Sequence, residues 1–321
     1  MSAFAPWQQR AYEQATAALD AGRLGHAQLF CGPAMLGKRA VAERLARRVL
    51  CQQRIDGEPC GRCRSCQLLD AGTHPDFHVV SFIPNKEGTR LRTEIIIDQI
   101  RALSEKLTLT TQYGAAQVAI LDPADAINHA ASNALLKTLE EPVDGRYLWL
   151  VSANPHRLSA TIRSRCQRLE FRLPSREESV AWLRAQGHRD AEAAEALDAT
   201  RGHPGLAHQW LEGDGMALRR EVAGDLARLS RGDASAIETA QRWASDEHAA
   251  LRLQHAADVA LAEAARLTDP TRARSLAAWF DRANRVRDLL RTTVRTDLAI
   301  VELLMAWQAG DGASVARGQH G

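Results

Sequence analysis

The chain has 321 residues, more than a single hydrophobic core usually serves, so two or three domains are expected. Charged residues make up 25% and the formal net charge is +2, which argues against a protein that grips nucleic acid by itself. No apolar stretch approaches the roughly 18 residues of a membrane span, and no secretory signal is visible, so we expect a cytoplasmic protein without a membrane partner.

The first half of the chain alternates predicted strands with predicted helices. Apolar runs of strand length lie at residues 27–31, 77–82, 117–121, 147–152 and 167–171. Helical spacing of apolar residues is found at residues 8–21, 38–50, 94–107 and 130–139. This alternation predicts a parallel sheet covered by helices on both faces.

The second half of the chain has a helical pattern throughout. Helical periods at 177–186 and 191–200 precede a break at residues 202–205, GHPG, and the helical pattern then continues over 210–308. The tail from Gly310 onward contains Gly and Ser and is expected to fray. We therefore expect an α/β domain at 1–171, a small helical domain at 172–209 and an all-α domain at 210–321.

Residues 32–39, GPAMLGKR, nearly match the phosphate-binding loop GxxxxGK[ST] between a strand and a helix. In such loops, glycines such as Gly32 and Gly37 let backbone N–H groups close on phosphate, and a lysine such as Lys38 adds charge. The final hydroxyl of the motif ligates Mg²⁺. Arg39 stands in its place and has no lone pair to offer a metal. The alternative is that the two glycines only make a tight turn.

The acidic pair that phosphate-loop ATPases place after a buried strand is also incomplete. Asp122 follows the predicted strand at 117–121 and is placed to help hold a metal. Pro123 stands where the second, water-activating carboxylate is expected, and proline offers no base. Two independent defects therefore predict a phosphate-loop fold that has lost hydrolysis, and they weaken the case for ATP as a cofactor of this chain.

Four cysteines, Cys51, Cys60, Cys63 and Cys66, have the spacing C-x8-C-x2-C-x2-C. The Cx2C spacing brings two thiolates to one metal, and four thiolates suit tetrahedral zinc. In the cytosol, clustered cysteines indicate metal before disulfide. We expect structural zinc in a module at 51–66, with no open position for metal catalysis. An iron–sulfur cluster and a redox-active CxxC pair are the alternatives.

Two segments together carry a resemblance to one family. Residues 133–142, NALLKTLEEP, and residues 161–167, TIRSRCQ, look like signatures of bacterial clamp-loader subunits, and the second contains their SRC motif. The cysteine insertion and the order of the domains agree with them. The chain thus resembles the AAA+ clamp-loader family of bacterial DNA polymerase III. The resemblance implies a RecA-like parallel sheet domain with a zinc module, a small helical lid and an all-α C-terminal collar.

The resemblance gives a role to Arg165, the arginine of the SRC motif. It would be an arginine finger, supplied in trans to ATP on a neighbouring subunit. Gly205 aligns with an arginine that active members carry in the lid, so the chain resembles the non-hydrolysing, stator-like subunits. The implied partners are the gamma and tau ATPases and the delta subunit. Through the complex, the sliding clamp and primer-template DNA are partners too.

The resemblance also implies that the C-terminal helices form a collar that holds the oligomeric ring. Their apolar residues either take part in that assembly or fill the domain's own core, and for most positions we favour the core. These residues are Leu226, Leu229, Trp279, Phe280, Leu289, Leu290, Leu298 and Leu303.

Three alternatives come from other functional classes. An active, gamma-like clamp-loader ATPase is the nearest, and Arg39 and Pro123 oppose it. A stand-alone nucleic-acid-binding zinc protein is opposed by the near-neutral charge and the lack of a basic stretch interleaved with aromatics. A polymerase is opposed by the lack of a convincing set of metal-binding carboxylates, so any polymerase activity would belong to the complex.

Overall fold

Five parallel strands form one sheet in the first part of the chain. They are β1 (Ala27–Cys31), β2 (Phe77–Val80), β3 (Gln117–Leu121), β4 (Arg146–Ser152) and β5 (Gln167–Glu170). In this computed structural model, which describes residues 4–85, 87–114, 116–290 and 295–311, their order is β2-β3-β4-β1-β5. The predicted parallel sheet is confirmed. Strands β1 and β3 have the predicted bounds, whereas β2 ends two residues before the predicted position.

Helices precede, connect and follow the strands. They are α1 (Pro6–Asp20), α2 (Lys38–Leu50), α3 (Arg64–Asp70), α4 (Ile97–Thr108), α5 (His129–Glu140), α6 (Ala160–Arg165), α7 (Arg176–Ala185) and α8 (Asp190–Ala199). Helix α2 has the predicted bounds. Helices α3 and α6 were not predicted, because seven and six residues are too few to show a helical period.

Alternate side chains of the strands enter two apolar cores, one on each face of the sheet. In β1, Phe30 joins the core under α1 and α2, while Leu29 and Cys31 join the core under α4, α5 and α6. Because the strands are parallel, their carboxyl ends lie along one edge of the sheet. The loop after β1 and the residues after β3 therefore meet at that edge, where α/β proteins usually bind ligands.

The chain divides into two compact units, residues 1–206 and 207–321. The remaining helices are α9 (Pro204–Glu212), α10 (Gly215–Arg231), α11 (Ala236–Ala244), α12 (Ala249–Ala264), α13 (Pro270–Leu289) and α14 (Thr296–Ala306), with a last turn at Trp307–Asp311. The predicted division into three domains stays a prediction. The expected tail after Gly310 lies outside the described residues from 312 onward. Among the described helices, none is both long and apolar enough to cross a membrane.

Three tryptophans organise the core of the second unit. Trp243, Trp279 and Trp307 are almost fully buried, and each donates its indole N–H to an oxygen. Trp279 and Trp307 pack edge to face, with ring centroids 4.8 Å apart. A buried indole usually finds such a partner, since an unpaired N–H would be costly.

The eight apolar residues of the predicted collar divide into three groups. Leu226, Leu229, Trp279 and Leu303 are buried in the unit's own core, as favoured for most of them. Phe280 and Leu290 are partly buried against that core. Leu289 and Leu298 are exposed, at 39% and 57% of their surface.

Candidate functional site

The phosphate-type loop joins β1 to α2, and contacts within the protein constrain both of its glycines. Gly32 has a φ of +136°, and a Cβ there would lie 2.1 Å from the carbonyl oxygen of Phe171. Gly37 has a φ of +76°, and a Cβ there would lie 1.8 Å from Nε2 of Gln8. At Gly32 a fixed backbone oxygen leaves no room for a side chain, whereas at Gly37 the left-handed φ favours glycine and the Gln8 side chain could move aside.

The lysine of the loop is folded back onto the loop itself. Lys38 is only 5% exposed, and its Nζ donates to the carbonyl oxygens of Gly32 at 2.8 Å and Pro33 at 2.5 Å. Burial lowers the pKa of Lys38, and the nearby carboxylates of Asp122 and Asp125 oppose that shift. The Lys38 ammonium group thus binds two loop carbonyl oxygens and lies close to the carboxylates at this edge of the sheet.

Arg39 pairs with the carboxylate that the sequence marks as a metal ligand. Its Nη1 lies 3.2 Å from Oδ2 of Asp122, and its Nε lies 2.6 Å from Oε1 of Glu43 one turn along α2. Burial acts to lower the pKa of Arg39, but the hydrogen bonds that Arg39 donates to Glu43 and Asp122, with the charges of these carboxylates, outweigh it and raise that pKa. A guanidinium thus occupies the space beside Asp122 that a divalent cation would need.

Two further elements close over the loop. Trp7 Nε1 and Gln8 Nε2, both at the start of α1, donate to the carbonyl oxygen of Leu36 at 3.1 and 3.2 Å. At the start of α9, a Cβ on Gly205 would lie 2.1 Å from the carbonyl oxygen of Met35. The small residue at this position therefore lets α9 approach the loop backbone directly.

Arg165 is the last residue of α6, and its side chain is 36% exposed. Its Nη2 lies 2.6 Å from Oε1 of Glu140, the last residue of α5. Its Nη1 donates to the carbonyl oxygen of Thr161 at 3.2 Å. The guanidinium is therefore fixed along one edge by its own chain, while part of it faces solvent.

The four predicted ligands Cys51, Cys60, Cys63 and Cys66 form one cluster, and their sulfur atoms all lie within 4.8 Å of one another. The Sγ atoms of Cys51 and Cys63 are 3.9 Å apart. Tetrahedral zinc, with Zn–S bonds of about 2.3 Å, places its sulfurs about 3.8 Å apart. The cluster therefore fits a single tetrahedral ion, and it could hold a metal with no further ligand.

An ionic network centred on the buried Arg48 ties the cysteine module to α1 and α2. Glu58, within the module, accepts hydrogen bonds from Tyr12 at 2.9 Å, Arg48 at 3.0 Å and Arg44 at 3.2 Å. Arg48 also pairs with Asp20 at 2.6 Å. Burial, together with the neighbouring Glu58 carboxylate, raises the pKa of Tyr12.

A second anchor links the module to the start of β2. The backbone N–H of Asp76 donates to Nδ1 of His74 at 3.1 Å, so the neutral ring carries its proton on Nε2. That Nε2 lies 2.7 Å from Oγ of Ser65, whose hydroxyl donates to the carbonyl oxygen of Leu50 at 2.7 Å. Burial lowers the pKa of His74, which favours this neutral form. The Ser-His pair is thus structural.

The sequence-predicted residues lie in three places. Gly32, Gly37, Lys38 and Asp122 meet at the carboxyl edge of the sheet, the cysteines form their own module, and Arg165 lies on α6. The sequence did not indicate that Gln8 and Trp7 contact the loop, nor that Arg39 pairs with Asp122. An arginine in place of the expected hydroxyl residue at position 39 was the one hint in the sequence of the Arg39–Asp122 pair.

Comparisons with known proteins give a consistent result. A family described as "DNA polymerase III, delta subunit" matches residues 7–175. A DNA polymerase III subunit delta' from Pseudomonas aeruginosa is 41% identical over 244 residues, which cover 75% of this chain and 71% of that protein. The subunit delta' of Escherichia coli is 38% identical over 224 residues, which cover 69% of this chain and 65% of that protein.

A solved structure agrees with the fold. A DNA polymerase III gamma subunit-related protein from Thermotoga maritima superposes with a TM-score of 0.50 at 16% identity. The superposition covers 94% of this chain and 99% of that protein. At this level of identity the likeness concerns the fold alone.

Proposed function

Because this chain belongs to the delta' family of DNA polymerase III clamp-loader subunits, we propose that it is a subunit that does not hydrolyse ATP. In this proposal it acts as a stator and supplies Arg165 in trans to an ATPase subunit beside it. The chain matches about two thirds of the length of its curated relatives, 71% and 65%. That this chain takes part in the activity of the assembled loader is therefore also a proposal.

The ion pair between Arg39 and Asp122 is the observation that carries the loss of hydrolysis. Mg²⁺ in phosphate-loop ATPases is held by a hydroxyl at the loop and by an aspartate after a buried strand. Here the hydroxyl position is Arg39, and its guanidinium lies 3.2 Å from the aspartate itself. A metal ion would have to displace a cation from Asp122 and then share the site with it. Electrostatic repulsion opposes both steps.

The residue after Asp122 supports the same conclusion. Pro123 stands where the resemblance to active family members places the general base, and it has no group that can take a proton from water. Lys38 donates hydrogen bonds to two loop carbonyls, which use two of its three N–H groups. Its side chain would therefore have to move before it could reach a phosphate.

The test is ATP turnover and Mg-nucleotide binding by the isolated chain at high protein concentration. We expect neither, in the wild type or in Lys38→Ala. Turnover that Lys38→Ala abolished would show a working site. It would favour the second candidate, an active gamma-like ATPase subunit.

Arg165 is the residue through which this chain would act on its neighbour. A guanidinium is planar, permanently charged and suited to phosphate oxygens, and its side chain here reaches solvent at the end of a helix. In related enzymes an arginine supplied in trans raises the hydrolysis rate by about 10³- to 10⁵-fold. The SRC motif that contains Arg165 supports this role.

Structural zinc is the proposed cofactor. Four thiolates fill a tetrahedral shell, so the ion would have no open position for a substrate. The sulfur separations support one ion, since thiolates on different irons of an iron–sulfur cluster would stand farther apart. The two anchors through Glu58 and His74 hold the ligand loop in place without taking a coordination position.

The proposed partners are the gamma and tau ATPases, the delta subunit and, through the complex, the sliding clamp and primer-template DNA. The proposed place of action is the cytoplasm. The helices after residue 206 would form the collar that holds the ring. Exposed leucines such as Leu298 support a contact surface there.

A further inference from the structure

Glu140 contacts the one arginine to which the proposed function gives a role in a neighbouring site. Its Oε1 lies 2.6 Å from Nη2 of Arg165, although 25 residues separate the two in the chain. Glu140 ends α5 and Arg165 ends α6, so the pair joins the carboxyl ends of two consecutive helices. We propose that Glu140 is a positioning residue that holds Arg165 ready to bind the phosphate of a neighbouring subunit. This inference rests on the proposed function.

The two helices that carry the pair are fixed by the core of the first unit. Leu135 and Leu139 of α5 are buried, and so is Ile162 of α6. Ser159 caps α6 by accepting a hydrogen bond from the backbone N–H of Ile162 at 3.2 Å. Rigid backbones therefore set the distance between Glu140 and Arg165, and the ion pair does not depend on a mobile loop.

The contact restricts the arginine without using all of its donors. A guanidinium group has five N–H bonds. Glu140 engages Nη2 and the Thr161 carbonyl engages Nη1, which leaves Nε–H and a second hydrogen on each Nη group. With 36% of the side chain exposed, these donors can meet an incoming phosphate. A long side chain held in this way loses less entropy when it binds.

Glu141 is a natural control for Glu140. It follows Glu140 in the chain, carries the same charge and is exposed. Its side chain lines a separate cavity with His26, Lys137 and Tyr147. Among the described residues, no ion pair joins it to Arg165. Replacing Glu141 therefore removes a charge near the end of α5 and keeps the contact with Arg165, whereas replacing Glu140 removes both.

The experiment is a double-mutant cycle in the complete clamp loader, read as DNA-stimulated ATP hydrolysis. We expect Glu140→Gln to lower the maximal rate on the order of 5- to 10-fold, with an unchanged KM for ATP and unchanged loader assembly. Glu140→Asp should recover part of the rate, and Glu141→Gln should match the wild type. In an Arg165→Ala background, Glu140→Gln should have no further effect.

The outcomes separate this inference from the function on which it rests. If Arg165→Ala leaves the rate unchanged, the proposed function fails. If Arg165→Ala lowers the rate but Glu140→Gln alone does not, only the positioning role of Glu140 is wrong. If Glu140→Gln lowers the rate equally with and without Arg165, Glu140 acts through another group and the inference is overturned.

Discussion

Gly32 illustrates how packing can fix a single residue. Its φ is +136°, and a Cβ would lie 2.1 Å from the backbone oxygen of Phe171. We expect Gly32→Ala to lower the free energy of unfolding by more than about 3 kcal/mol, because a backbone atom cannot swing aside. Urea unfolding of the isolated chain measures the loss. The control is Gly22→Ala, where φ is +65° and no atom lies within 4 Å, with a cost of about 1 kcal/mol.

His255 makes the second unit sensitive to acid. The residue is fully buried, and its ring packs edge to face on Trp210 with centroids 4.5 Å apart. Burial, with a contribution from the Arg219 guanidinium, lowers the pKa of His255 to about 4. An unfolded histidine takes up a proton below about pH 6.5, whereas the folded one stays neutral. The resulting stability is complete above pH 6.5 and is lost as the pH falls towards 4.

This loss amounts to about 3 kcal/mol across that interval. We expect His255→Leu to flatten the dependence of the unfolding free energy on pH between 6.5 and 4, because the variant has no group to protonate there. Denaturant unfolding at a series of pH values measures the slope. The exposed His156, replaced by Leu, should leave the slope as it is in the wild type. A slope that His255→Leu did not change would contradict the assignment.

Residue identities predicted the candidate sites better than they predicted the contacts. The sequence shows that Arg39 cannot hold Mg²⁺, but 83 residues separate it from Asp122. Only the order of the strands brings the two together. The partner of Arg165 was hidden for the same reason, since Glu140 belongs to another helix. Cysteine spacing succeeded because all four ligands lie in one short segment.

The cysteine module is the element whose chemistry is simplest to test. We expect the purified chain to carry one zinc ion, because four thiolates form a closed tetrahedral site. Elemental analysis measures the stoichiometry, and Cys66→Ser should release the ion. Cys166→Ser is the control, since Cys166 is buried in the sheet core away from the module. Iron in place of zinc, or retention of the ion by Cys66→Ser, would contradict the assignment.

The length of an element decided how well it could be predicted. Before residue 200, buried strands of five residues and helices of ten or more gave clear periods, and their predicted positions agree closely with the structure, whereas the long helices after residue 210 were predicted only as one helical stretch. Helices α3 and α6 were not predicted, because seven and six residues make fewer than two helical turns, too few to show a period of apolar and polar positions. These two short helices carry Cys66 and Arg165, so two of the candidate site residues lie on the elements that were hardest to predict as helices.

Helix α14 has apolar side chains on more than one face. Ile300, Leu303 and Leu304 are buried, while Leu298 and Met305 are exposed at 57% and 54%. If this exposed face contributes to the collar, Leu298→Asp should weaken loader assembly and leave the unfolding of the isolated chain unchanged. Co-purification with the other subunits measures assembly. The comparison is Leu261→Asp on α12, where the exposed fraction is 36%.

Equal effects of these two leucine substitutions would show that the contact surface is not specific to α14. Normal assembly of Leu298→Asp would remove this helix from the proposed collar.

The chain combines an α/β fold with a phosphate-type loop that its own residues occupy. Arg39 covers the metal ligand, Lys38 is turned into the loop, and α1 and the start of α9 pack against the loop backbone. In the proposed function, the group that acts on phosphate lies elsewhere, at Arg165. This arrangement fits a subunit that completes a neighbour's site rather than its own.

The most direct test is the DNA-stimulated ATPase rate of a complete loader that contains Arg165→Ala in this chain only. We predict that hydrolysis at the one neighbouring site that Arg165 serves falls by about 10³-fold or more, which lowers the rate of the loader, with normal assembly and normal nucleotide binding by the ATPase subunits. The control is Arg168→Ala, because Arg168 is an exposed arginine three residues away in the chain, and this variant should leave the rate unchanged. A rate equal to that of the wild type in the Arg165→Ala loader would contradict the account.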